Sequence, residues 1–242
     1  MSEFDVVAIG AHPDDVELTV GGTIAKLTRR GYSVAIVDLT RGESGSNGTP
    51  EERATEANQA ARILGVAERR NLDLGDCKLT DSHENRSKLI TVLRELRPRI
   101  VMANYWEDLH PDHVAAGNLV RNITYPVGFK NYPAEGEPHR PREFMYFMQH
   151  YTFQPSFIVD VSDHMDAKME SVRAYRSQLG SADDKTGRHP TNIGRPDFME
   201  LIESRARHFG SLIHQRFGEP FFVPRDIPMD DPVAHYDPFT RS

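Results

Sequence analysis

The chain is short of cysteine, of long apolar runs and of positive charge. A single cysteine among 242 residues, Cys77, excludes an internal disulfide and a cysteine-based zinc site, and it fits a reducing compartment. No apolar run approaches the ~20 residues that a membrane-crossing helix needs. The opening MSEFDVVAIGAHPDD reaches acidic residues too soon for a signal peptide, so a cytoplasmic setting is expected. Lys and Arg number 29 against 36 Asp and Glu, a net charge of −7 with no basic tail. That balance argues against nucleic acid or an anionic membrane as partner. Two glycine signatures are missing as well. Residues 42–48 are glycine-rich but lack the Gly-Lys-Ser/Thr ending of a P-loop, and read as a flexible loop near a pocket. Gly10 opens no G-x-G-x-x-G, because His12 and Pro13 stand where glycines would be needed. A nicotinamide cofactor is therefore not expected.

What remains is a globular composition, with 27% charged and 38% hydrophobic residues, and eleven histidines. Residues 5–10, 33–39, 69–74 and 99–103 read as strands. Between them, residues 21–30 space apolar side chains as a helix that Gly31 stops. Thr49 and Pro50 open a second helix running to Leu64, residues 84–96 form a third, and Pro111 starts a fourth reaching about Tyr125. Alternation of this kind predicts an α/β, Rossmann-like, mostly parallel sheet flanked by helices. We expect a single domain over 1–242, with residues 1–125 as its core and 126–242 as a C-terminal elaboration and tail. In the second part, 131–142 reads as a proline-bearing loop, 144–148 and 156–160 as strands, and 163–176 and 197–217 as helices. Residues 181–196 read as a polar surface loop and 220–242 as irregular.

Two loops carry the chemistry. Gly10-Ala-His12-Pro-Asp14-Asp15-Val-Glu17 follows the first strand, and His110-Pro-Asp112-His113 follows the fourth. In an open parallel sheet those strands are neighbours at the topological switch point, where ligands bind outside the carboxyl ends. Taken alone, an Asp-Asp pair after a strand caps a helix as readily as it serves a site, and His-Pro is often only a turn. Together, at matching strand ends, they point to a metal site. Histidine and aspartate suit Zn²⁺, which in catalytic sites keeps three protein ligands and an open position for water. A second adjacent carboxylate would act as general base on that water.

Ala11-His12-Pro13-Asp14-Asp15-Val16-Glu17, Gly21-Gly22-Thr23, Thr40-Arg41-Gly42-Glu43, Arg53-Ala-Thr-Glu56 and His110-Pro111-Asp112-His113 together resemble the PIG-L/LmbE-like N-deacetylases. These are zinc-dependent enzymes that remove acetyl from N-acetylglucosamine conjugates. The resemblance runs from Asp5 to about Tyr125. It continues loosely into Tyr175-Arg176-Ser177-Gln178, where the chain is most similar to the bacillithiol-biosynthesis branch, which deacetylates N-acetylglucosaminyl malate. The resemblance implies one zinc per chain held by His12, Asp15 and His113, with Asp14 as general base. It implies His110, as an imidazolium, as oxyanion stabiliser and acid, with Asp112 expected to hold and charge it. Arg53 is expected at the substrate or the tetrahedral intermediate; the other reading is a surface pair with Glu56 at i+3. The partner implied is a small sugar conjugate, and relatives often assemble as trimers or hexamers, so a homo-oligomer is expected.

A malate group would ask for basic side chains to receive its carboxylates. Arg41, Arg53, Arg188 and Arg195 are the candidates, and His189 sits in the same loop as Arg188. Tyr105-Trp106 reads as a sugar wall or as core, the other histidines as surface or structural residues, and Cys77 as an inert, partly buried thiol. Three functions follow: deacetylation of an N-acetylglucosamine conjugate (malate, inositol or chito-oligosaccharide), hydrolysis of a non-sugar amide, or ligand binding without catalysis.

Overall fold

The computed structural model describes residues 3–179 and 189–236. Five strands, β1 (Val6–Gly10), β2 (Val34–Asp38), β3 (Glu68–Asn71), β4 (Ile100–Asn104) and β5 (Glu143–Phe147), run parallel. Two more, β6 (Phe157–Asp160) and β7 (Gly218–Phe222), complete one sheet in the order β3-β2-β1-β4-β5-β7-β6, with β7 antiparallel to both its neighbours. The helices are α1 (Asp15–Arg29), α2 (Pro50–Leu64), α3 (His83–Leu96), α4 (Pro111–Ile123), α5 (Met165–Arg173), α6 (Phe198–Ser211) and the short α7 (Pro232–His235). No helix among the described residues is long and apolar enough to cross a membrane.

Every residue of β1 and β2 is buried, as the unbroken apolar runs require when helices cover both faces. Alternate side chains divide between the faces. Val7, Ile9, Ala35, Val37 and Val101 pack with Leu89, Leu93 and Leu119 of α3 and α4, while Val6, Ala8, Val34 and Ile36 pack with Val16, Val20 and Ile24 of α1. The start of α2 follows its sequence signals. Thr49 and Glu52 form a reciprocal capping box, Pro50 opens the helix, and Gly65 ends it at φ 72°.

Three expectations need correction. First, α1 begins at Asp15, not Gly21. It bends at Val20 (φ −123°, ψ 16°), and only the half beyond the bend shows in the apolar spacing. The Gly21-Gly22 pair costs about 1 kcal/mol per residue in helix propensity, less than burying Val20 and Ile24 returns at about 1.5–3 kcal/mol each. Gly22 is needed for close approach, since a Cβ there would lie 2.9 Å from the Val161 Cβ. Second, the expected tail contains β7, hidden by Glu219 and Pro220. Its Glu219 carboxylate is what mends α1. It accepts hydrogen bonds from the Gly22 and Thr23 backbone N–H groups (2.9 and 2.6 Å), and Lys168 Nζ donates to the same carboxylate (2.6 Å) and to the Thr19 carbonyl (2.8 Å). Third, the last two helices are shorter than expected. The 163–176 segment is a 3₁₀ turn (Ser162–His164) followed by α5, and α6 stops at Ser211 before a turn through His214 at φ 58°.

Glu219 and Lys168 are each almost wholly buried, so removing one partner strands the other's charge. Glu219→Ala is expected to lower the unfolding free energy by about 3–5 kcal/mol, read from urea denaturation. A loss below about 1 kcal/mol would show that the pair does not hold the two halves of α1.

Candidate active site

The switch point lies between β1 and β4, and the two motif loops meet there. Ala11 N–H donates to Asn104 Oδ1 at the end of β4 (3.1 Å), tying the first loop to the second. The loops open on a cavity of about 610 Å³. Asp15, almost fully buried, lies at its floor. Its Oδ2 accepts from the His12 backbone N–H (3.0 Å) and its Oδ1 from Gln149 Nε2 (2.9 Å). His113 Nε2 is 3.2 Å from Asp15 Oδ1, and His12 Nδ1 is 3.7 Å from Asp15 Oδ2. The far nitrogen of each ring meets another acid. His12 Nε2 is 3.3 Å from both Asp76 and Asp112, and His113 Nδ1 is 2.8 Å from Asp108 Oδ1.

These contacts fit a metal ion. Ligand atoms about 2 Å from a tetrahedral zinc stand about 3.3 Å apart, close to the spacings around Asp15. Carboxylates on the outer nitrogens fix the tautomers that leave His12 Nδ1 and His113 Nε2 free to ligate. One ring nitrogen from each of His12, His110 and His113 also gathers within 4.8 Å. The charge agrees. Burial works against it, but hydrogen bonds to Asp112, Asp15 and Asp76 hold His12 well above its ordinary pKa. His113 is likewise raised to about 9 by Asp15 and Asp108. A cage with this surplus of acid calls for a cation.

Asp14 adopts φ 114°, ψ −28°, a conformation costly for a residue with a Cβ. It stands at the cap position of α1 but makes no side-chain capping bond, so capping does not explain it. Burial, with Asp15 beside it, pushes its carboxyl up to about 7 against the pull of Arg53. Arg53 is buried and holds the turn: Nη1 donates to the Gly42 carbonyl (2.9 Å), and Nη2 to the Pro13 carbonyl (2.8 Å) and Asp14 Oδ2 (3.3 Å). The surface-pair reading of Arg53 fails, because Glu56 instead accepts from Ser177 N–H and Oγ.

Other expectations change. Asp112 does not hold His110. Its carboxylate accepts from the Cys77 N–H (2.7 Å) and faces His12, and only its backbone N–H reaches His110 Nδ1 (3.2 Å). Burial, then repulsion from His12 and His113, lowers the pKa of His110 from its ordinary value. Cys77 is exposed, not partly buried, and lines the cavity. Arg41 is exposed, pairs with Asp73 (2.9 Å) and lies outside the cavity lining. Arg188 falls outside the described residues. Arg195 lines the cavity and pairs with Asp197. The His189 backbone pairs with the Asn47 side chain, and Tyr105-Trp106 packs among Phe153, Tyr146 and Phe222, away from the cavity. His150, expected at the surface or in a structural role, stacks on His113 and bonds Asp108.

Asp76, Asp108, Gln149 and Arg205 escaped the sequence reading. The first three follow β3, β4 and β5, so strand-end position was the signal available. Arg205, on α6, carried none.

A parallel sheet with a His/Asp donor cluster at its switch point defines a class, that of α/β enzymes whose strand ends are built to hold a metal. The comparisons narrow it. The family model "PIG-L: GlcNAc-PI de-N-acetylase" matches residues 7–124. The diacetylchitobiose deacetylase of Thermococcus kodakarensis is 35% identical over 250 residues, covering 95% of this chain and 87% of its own. A probable N-acetyl-α-D-glucosaminyl L-malate deacetylase of Bacillus anthracis is 29% identical, covering 74% and 84%. The conserved protein TT1542 of Thermus thermophilus superposes with a TM-score of 0.86 at 38% identity, over 99% of this chain and 100% of that one. The chain belongs to the PIG-L family of N-deacetylases.

Two substitutions test the supports of the site. A Cβ on Gly42 (φ 64°) would stand 1.8 Å from Arg53 Nη1, so Gly42→Ala must displace the guanidinium that holds Asp14. A loss of about 10²-fold in kcat is expected, with metal content unchanged. Asp108→Asn should weaken metal affinity about 10- to 100-fold, read by competition with a chromogenic chelator; unchanged affinity would remove Asp108 from the support of His113.

Proposed function

We propose that this protein hydrolyses the acetamide of a small N-acetylglucosamine conjugate in the cytoplasm. The observation that carries the reading is Asp14. Strained, clamped by Arg53 and raised to about 7, it is poised as a base near neutral pH beside a donor set for a cation. A zinc ion held by His12, Asp15 and His113 would supply Lewis-acid activation of the water and of the amide carbonyl. Asp14 takes the proton of the attacking water. Arg53 fixes the Asp14 carboxylate. His110 donates a hydrogen bond to the oxyanion, and the departing amine receives the proton that Asp14 carries. Asp112 and Asp76 hold the His12 ring.

The relatives' substrates bracket the conjugate: diacetylchitobiose in one, N-acetylglucosaminyl malate in another. The cavity has room for a sugar and a second small unit. Tyr175 and Ser177, which suggested the malate branch, support the fold instead. Tyr175 Oη donates to Glu17 Oε1 (3.0 Å), and Ser177 Oγ donates to Glu56 (2.6 Å), so neither marks the aglycone.

The test is amine release from diacetylchitobiose, N-acetylglucosaminyl malate, the inositol conjugate and free N-acetylglucosamine, with metal measured in the same sample. Turnover of at least one conjugate is expected, and none by metal-loaded protein would sink the proposal. Asp14→Asn should keep its metal and lose about 10²- to 10⁴-fold in kcat, whereas His113→Ala should lose the metal. A near-normal rate for Asp14→Asn would remove it as the base.

A further inference from the structure

One face of α6 forms part of the wall of the cavity. Phe198, Leu201, Ile202 and Arg205 all line it, at the i, i+3, i+4, i+7 spacing that puts side chains on one side of a helix. Three are apolar and the fourth is a guanidinium. Arg205 is half-buried, and desolvation lowers its pKa, only partly offset by the charge of Asp108. Yet among the described residues it meets no carboxylate at ion-pair distance, and its one hydrogen bond runs from Nη1 to the Gln149 carbonyl. A guanidinium carries five donors, and a half-buried one with most of them unmet is suited to receive an anion.

Asp108 is not that partner. Its oxygens are already taken by the backbone N–H groups of His110 and His150 and by the rings of His113 and His150. The position of Arg205 is also fixed relative to the reacting centre. The residue whose carbonyl it holds, Gln149, donates its side-chain amide to Asp15. Of the other guanidiniums that line the cavity, Arg195 is balanced by Asp197 and Arg53 by Asp14, which leaves Arg205 as the unbalanced one among the described residues.

We propose that Arg205 is the anion-reading residue of the substrate pocket, and that the preferred conjugate carries a carboxylate on the unit linked to N-acetylglucosamine. The inference rests on the deacetylase reading and deepens it. The apolar stripe of α6 would take the carbon face of the conjugate, and the free edge of the guanidinium a carboxylate, as a bidentate fork suits.

The experiment compares kcat/KM for N-acetylglucosaminyl malate and for diacetylchitobiose in the wild type, Arg205→Met and Arg205→Lys. The expected result is that the malate-to-chitobiose ratio falls about 30- to 100-fold in Arg205→Met, the size of a lost charge-assisted hydrogen bond. In Arg205→Lys, which keeps the charge without the fork, it falls less. A ratio unchanged in both variants, whatever the absolute loss, would overturn the proposal and leave Arg205 as a support for Gln149. If Arg205→Met does not fold, the lysine variant carries the same test. Succinate binding by calorimetry separates the two levels of inference, since it needs no turnover. Succinate held by the wild type and lost in Arg205→Lys or Arg205→Met supports the subsite even if no sugar is deacetylated. Failure of the wild type to bind succinate, with malate and chitobiose conjugates turned over equally, counts against it.

Discussion

Four segments of the chain meet on the carboxylate of Asp15. The loop after β1 presents it and caps it with the His12 N–H. The loop after β4 brings His113 to one oxygen, β4 itself offers the Asn104 amide to the other, and the segment after β5 adds the Gln149 amide. Each contact comes from the carboxyl end of a parallel strand, so the site exists only when β1, β4 and β5 stand side by side. A carboxylate with this many donors stays ionised despite full burial, and Asp15 is held well below the ordinary range by His113 and His12. Its neighbour Asp14 has the same burial, with only the charges of Arg53 and His12 opposing the rise and those of Asp15 and Glu17 adding to it, and goes the other way. Two consecutive aspartates thus divide into an ionised anchor and a carboxyl raised toward neutrality because of what surrounds each.

The rest of the acid around the cavity follows from the same constraint. A histidine that is to ligate with one nitrogen must place its other one. Here the other nitrogens go to Asp76 and Asp112 for His12 and to Asp108 for His113. These carboxylates orient the rings and bias the site toward a cation. They also account for part of the negative balance of the chain: buried acid gathered at one sheet edge, in addition to solvated surface.

How much of this could be read beforehand depended on range. The β1 and β4 loops announce themselves because their residue types are dense and local, and the alternation of strands and helices places them together. Asp76 and Asp108 are single aspartates in loops, and only the assembly of β3, β2, β1 and β4 side by side in one sheet brings them to the histidines. Asp112 was legible as a site residue, but its partner was not. The backbone turn at the start of α4 gives His110 its N–H and sends its carboxylate to His12. Arg205 and β7 were hidden for the same reason. A charged residue on an amphipathic helix, or a Glu-Pro inside a strand, looks like surface until its packing is known.

The C-terminal third is therefore part of the site. Five parallel strands would bring Asp15 and His113 together, but α1, which begins at Asp15, breaks at Val20. Around the break, the freed backbone groups of Thr19, Gly22 and Thr23 are met by Lys168 of α5 and Glu219 of β7. Thr19 itself lines the cavity, next to the wall that α6 supplies. The last third of the chain thus both mends the first helix, through α5 and β7, and lines the pocket in front of it, through α6. Variation in this third of the chain would change the lining while the strand ends of the first half keep the donor set, which is how one reaction can be kept while its conjugate changes.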